Sequence, residues 1–155
     1  MAYFVSNLNW KNSIGWRTTK SSRLDNEKPQ KYGIRTNISA MEITSHDSLE
    51  AINAEEWDAL AGSNPFLKYG FLRLLETSDC LQSQGWYPQH IVVSSNGSIV
   101  GAMPLYVRDN SYGEFVFDWA WAEAYEKAGG RYYPKLVSAI PFSPVSGSRL
   151  LTNNH

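Results

Sequence analysis

The dipeptide Asn96-Gly97 limits the folds open to this chain more than any other feature. A two-residue turn between strands needs positive φ at both central positions, and Asn-Gly supplies them at the lowest steric cost. The flanking runs have the composition of strands. Gln89–Ser94 is rich in β-branched residues, and Ser98–Val107 carries Ile99, Val100, Ala102, Met103, Leu105 and Val107. An antiparallel hairpin over 89–107 follows. Pro104 lacks the N–H that a ladder requires, so it marks a bulge or an edge position in the return strand. Asn96-Gly97-Ser98 also reads as a glycosylation sequon, but the turn accounts for it better.

Around that hairpin the chain alternates helical and extended signals. Glu42–Thr44 is a short extended run. Leu49, Ile52, Trp57 and Leu60 then share one helical face, opposite Glu50, Glu55 and Glu56, and Gly62-Ser63-Asn64-Pro65 ends that helix. A second helix is expected over Lys68–Asp79, with Phe71, Leu72, Leu74 and Leu75 on its apolar side. Glu114–Trp119 alternates Phe115, Phe117 and Trp119 against Val116 and Asp118, which predicts a strand. Ala120–Ala128 predicts a short helix closed by Gly129-Gly130, and Ala139–Val145 predicts a further strand despite Pro141 and Pro144. Helices followed by consecutive antiparallel strands predict an α/β (α+β) domain with a mixed or antiparallel sheet and flanking helices. With no crossover helix after the last strand, one sheet face is expected to lack its cover. Such a face calls for a missing half or self-association.

Charge divides the chain. Residues 1–40 hold seven bases against two acids, whereas 41–155 hold seven bases against thirteen acids. The acidic body argues against nucleic-acid binding, which needs a basic face. The basic, Ser/Thr/Asn-rich first 40 residues have the composition of a plastid or mitochondrial transit peptide. A disordered extension, or a start placed upstream of a true start at Met41, explains them as well. Cys80 is the single cysteine, which excludes an intramolecular disulfide and a Cys-rich zinc site and suits a reducing, intracellular compartment. No apolar run approaches the roughly 20 residues that span a bilayer, so a soluble protein is expected.

Several segments together resemble one family. They are Ala54-Glu55-Glu56-Trp57-Asp58-Ala59-Leu60, Asn64-Pro65-Phe66-Leu67, Gly85-Trp86 with Pro88 and His90, and Gly101-Ala102-Met103-Pro104-Leu105-Tyr106. The aromatic-rich runs Ser111–Trp121, Ala124–Leu136 and Pro141–Leu151 complete the set. Over about residues 41–151 the chain resembles the predicted N-acyltransferases labelled "peptidoglycan biosynthesis/recognition", relatives of GNAT acetyltransferases and of Fem-type aminoacyltransferases. The resemblance implies a double GNAT-like architecture, of which 41–155 would be most of the first, truncated half. The implied chemistry is transfer of an acyl group from acyl-CoA, or an aminoacyl group from tRNA, to an amine. The Gly-rich pyrophosphate loop of such folds is expected beyond Val145, so this chain alone is expected to bind no cofactor and to be catalytically incomplete. A non-catalytic binding module, or a truncated product without independent function, is the alternative.

The residues leave the site open, and no catalytic residue is assigned. Asp118 between aromatics is either a base or amine anchor whose pKa burial raises, or a hydrogen-bonded cap for the following helix. Trp119, Trp121, Tyr125, Tyr132 and Tyr133 either line an acceptor pocket or pack as a core or interface. Glu123 near Asp118 makes a possible carboxylate pair or a solvated helix face. His46 and His90 lack ligand spacing, so no metal site is expected. Cys80 has no neighbouring His, and Arg131 and Arg149 fit surface charge or anion binding.

Overall fold

A computed structural model describes residues 41–115 and 117–153. At its centre is the expected hairpin. Asn96 and Gly97 have φ of 54° and 82°. They join β3 (His90–Ser95) to β4 (Ser98–Met103), with Ile91 opposite Met103, Val92 opposite Ala102 and a bulge between Val93 and Ser94. Edge strand β1 (Met41–His46) pairs antiparallel with β3, and β7 (Leu151–Thr152) pairs antiparallel with β4. The order is β1-β3-β4-β7.

The same ribbon continues into a second antiparallel sheet, β2 (Trp86–Pro88), β5 (Tyr106–Arg108) and β6 (Lys135–Val137), ordered β2-β5-β6. Pro104 sits at the break between the sheets, neither at an edge nor in the observed bulge. It has no N–H to give, and the ladder yields there. Gln89 N donates to Leu105 O at 2.8 Å, while Leu105 N donates to the ring Nδ1 of buried His90 at 3.3 Å. A side chain thus supplies the acceptor that the interrupted ladder lacks.

The helices cover one face of the larger sheet. The expected 49–60 helix is two pieces, a 3-10 turn at Leu49–Ala51 and α1 (Ala54–Ala61), because the Asn53 side chain caps Glu55 N and Glu56 N. Gly62 at φ 59° ends α1, and α2 (Tyr69–Thr77) follows. Leu49, Ile52, Trp57, Leu60, Leu67 and Leu72 pack with Val92, Ala102 and Leu151. The opposite row begins with Ile43, aligned with Val93 and Gly101. It leaves Met41 and Ile43 73% and 71% exposed. A smaller core of Leu81, Trp86 and Tyr106 lies by the second sheet.

Two expected strands are absent. Among the described residues of Glu114–Trp119 none lies in a strand: Glu114 and Asp118 turn inward while Phe115, Phe117 and Trp119 face solvent. The apolar alternation predicted a strand, and buried cations decide otherwise. Ala139–Val145 is a turn with Phe142 at φ 59° and Ser143 N bonded to Ile140 O. Its two prolines cannot donate, and β6 takes the place beside β5. α3 spans Trp119–Lys127, as the sequence predicts within one residue. The α+β class therefore holds, with every strand pairing antiparallel. No helix among the described residues is long and apolar enough to cross a membrane. The transit-peptide and alternative-start expectations for 1–40 lie outside the described residues.

Candidate functional site

The strand period brings two cations inward. Tyr106 and Arg108 share the buried side of β5, and Lys135 and Val137 share that of β6, with Arg108 opposite Lys135 in the register. Burying a charge is costly unless it is paired and hydrogen-bonded, so the neighbouring loop delivers partners. Arg108 Nε donates to Glu114 at 3.1 Å, and Lys135 Nζ donates to the other Glu114 oxygen at 2.7 Å. Lys135 also donates to Asp118 and to Ser111 Oγ. Arg108 finishes its donors on Gln84 O, Asn110 and Tyr112 O, and its guanidinium stacks 4.0 Å above Trp86.

Asp118 is the hub of the other half of the cluster. Ser111 Oγ donates to one of its oxygens at 2.5 Å, and Tyr132 Oη donates to the other at 2.6 Å. Tyr133 Oη lies 2.7 Å from Ser111 Oγ. Burial works to raise the Asp118 pKa, but the bonds from Lys135, Ser111 and Tyr132 outweigh it and hold the carboxyl below its ordinary range. This overturns the upward shift expected of a buried base, because the cation on β6 outweighs the burial. Asp118 does stand at the α3 N-cap position, but its side chain makes no cap bond. Tyr132 moves the other way: burial and its bond to the Asp118 carboxylate push the phenol up.

The other candidates divide. Tyr132 and Tyr133 meet edge-on at 5.1 Å, and Tyr125 meets Tyr132 at 6.2 Å. Gly130 is needed for that approach, since a Cβ there would lie 2.2 Å from the Tyr125 ring. Trp119 and Trp121 instead face outward, 53% and 75% exposed, with Phe117 5.1 Å from Trp119. Buried Asp118 with the half-buried Tyr125, Tyr132 and Tyr133 makes a polar floor, and the exposed Trp119 and Trp121 belong to an aromatic skin. Glu123 is exposed and pairs with Lys127 at 2.5 Å, away from Asp118. Arg131 is exposed, and Arg149 is half-buried.

The histidines are structural in their contacts. His46 bonds Thr44 at 2.8 Å. His90 is fully buried, bonds Glu76 at 2.9 Å and packs edge-on to Trp57 and Tyr106. Glu76 also receives Ser48 Oγ, Leu49 N and Arg73; burial opposes its ionisation, but His90, Leu49 N and Ser48 hold its pKa low. Cys80 is half-buried beside Leu75 O and Ser78. Among the described residues no group of three His, Cys, Asp or Glu is placed to hold a metal ion. Arg108, Ser111, Glu114 and Lys135 were not singled out from the sequence. The available signal was phase: each cation occupies the strand position that its apolar neighbour, Tyr106 or Val137, marks as inward.

A family model described as FemAB-like, peptidoglycan biosynthesis/recognition, matches residues 48–155. No curated protein and no solved structure matches the chain.

Proposed function

Because this chain belongs to the FemAB-like family, we propose that it serves the transfer of an aminoacyl or acyl group to an amine, and that its aromatic skin receives the amine-bearing acceptor. In that transfer the amine nitrogen forms a C–N bond with the donor carbonyl, the C–O or C–S bond to the carrier breaks, and the amine gives up a proton. The observation that carries the acceptor assignment is the exposure of Tyr112, Phe115, Phe117, Trp119 and Trp121 on one stretch whose acids are locked underneath. Exposed aromatics of this density stand out on a soluble surface and supply flat apolar contact with polar edges. Asp118 belongs to the positioning floor in this proposal. A carboxylate held low and bonded on both oxygens is a poor proton acceptor at neutral pH.

The GNAT-like architecture and a donor held outside the described residues are part of the same proposal. A pyrophosphate needs a helix N-terminus with unoccupied N–H groups. Here Asn53 caps α1, whose first turn carries Glu55 and Glu56, and the Asp58 carboxylate accepts from Tyr69 N at the start of α2. Asp118 stands at the start of α3. These anionic or occupied ends support a donor site elsewhere. A further layer over the Met41 and Ile43 row, from elsewhere in the protein or from a second copy, completes the proposal.

Calorimetric titration with a soluble peptidoglycan stem peptide bearing a free amine tests the acceptor surface. Changing both Trp119 and Trp121 to Ala is expected to weaken binding by about tenfold or more with the melting temperature preserved. Unchanged affinity would sink the assignment. Tight stoichiometric binding of acetyl-CoA to the 155-residue chain would sink the separate-donor part. A second reading, recognition without catalysis, draws on the fully satisfied Asp118. It predicts the same stem-peptide binding with no transfer in a product assay supplied with donor.

A further inference from the structure

Pro141 and Pro144 keep the segment after β6 out of any ladder, and it arches beside Trp86 instead. It encloses a cleft of about 260 Å³. Val137, Ile140 and Val145 give it apolar lining, together with Trp86, Gly113 and Arg149. We propose that this cleft binds a small carboxylate with a branched apolar body.

Three observations carry the inference, and none depends on the transfer reading. First, the half-buried Arg149 guanidinium donates only to its own loop, to Gly147 O at 3.4 Å and to Val145 O at 2.5 Å, and has no carboxylate partner among the described residues. Glu114, the acid that lines the cleft, is already neutralised by Arg108 and Lys135. Among the described residues the cleft therefore carries one uncompensated positive charge, with planar donors left to fork onto a carboxylate. Burial lowers the Arg149 pKa, so an anion would relieve a charge that the fold leaves poorly solvated.

Second, Trp86 Nε1 is buried with no hydrogen-bond acceptor. A buried unpaired donor is costly, so natural folds rarely leave one without a use. Gly113 lies directly beside it: a Cβ at 113 would sit 3.5 Å from Nε1 and 2.8 Å from the Phe142 ring. A ligand oxygen reaching across Gly113 would supply the missing acceptor. Third, Phe142 is held at φ 59°, a costly conformation for a bulky residue, while its ring braces Trp86 at 5.7 Å. Strain of that kind persists where the surroundings fix a geometry. The volume lies at the low end for ligand pockets, which limits the occupant to about the size of an amino acid.

The test titrates the 155-residue chain with 3-methylbutanoate, using the neutral isostere 3-methylbutanamide as control. Saturable one-to-one binding is expected, with the amide about tenfold weaker or more and the Trp86 indole N–H resonance shifting during the titration. Arg149→Ala should reduce carboxylate affinity by a similar factor, and Arg149→Lys should recover part of it. The tripeptide Gly-Gly-Leu, run in parallel, separates a free acid from the C-terminal carboxylate of a peptide. Saturation by either that is lost with Arg149→Ala supports the site. Equal affinity for acid and amide, or no saturation by any carboxylate up to about 10 mM, overturns it. Should Arg149→Ala lower the melting temperature, the acid–amide comparison on the native chain decides by itself.

Discussion

Lys135 joins both carboxylates of the buried cluster. Its ammonium is nearly sealed from water and bonds Glu114, Asp118 and Ser111 at once. Replacing it with Met would leave two buried carboxylates short of a cation. The expected loss in unfolding free energy is about 3–5 kcal/mol, measurable by urea denaturation. A loss under about 1 kcal/mol would mean that water replaces the ammonium easily. Asp118 makes a prediction about acid. Its folded pKa is depressed, so its contribution is fully present above the unfolded value of about 3.9 and is lost as pH falls through the lower folded value. The stability gap between the native chain and Asp118→Asn should therefore be widest near neutrality and narrow below about pH 4. A gap independent of pH would contradict the depressed pKa. Asp118 was visible in the sequence as a residue worth attention. Its environment was not, because the cation that sets it lies 17 positions away on β6.

At the scale of elements, the hairpin shows how far local chemistry reaches. Asn96-Gly97 fixed the turn, and the turn fixed β3 against β4, because both residues take the φ that other side chains resist. Gly97 has φ 82° and open space around its missing Cβ, whereas Gly101 in β4 faces Val93 at an ordinary 3.6 Å. Gly97→Ala should cost about 1 kcal/mol through backbone strain alone, and Gly101→Ala should be neutral or slightly stabilising. Equilibrium melts of the two variants separate these effects; equal costs would mean the turn is not what holds the register. Glu114–Trp119 shows where local chemistry stops. Its apolar residues alternate as a strand's would, yet Arg108 and Lys135 claim the acids between them, and the aromatics turn out. Periodicity counts apolar residues and is blind to a buried cation elsewhere. The Ala139–Val145 expectation failed for a simpler reason already in the sequence, since two prolines outweigh β-branched content.

Over the whole molecule, one bent ribbon ties two small sheets together, and each sheet has its own core. The α+β class was legible because helix caps and the Asn-Gly turn are local signals. The sheet break was half legible, in Pro104, but the histidine that bridges it was not, since His90 carries no mark of the bond it accepts from Leu105 N. The charge cluster has a consequence at this scale. Its two cations and two carboxylates cancel within a few ångströms, so beyond that distance their potentials largely extinguish one another. To a molecule diffusing in from solvent, this buried cluster is electrically mute. The aromatic skin above it gains no long-range steering from these four charges and recognises by shape and stacking once contact is made.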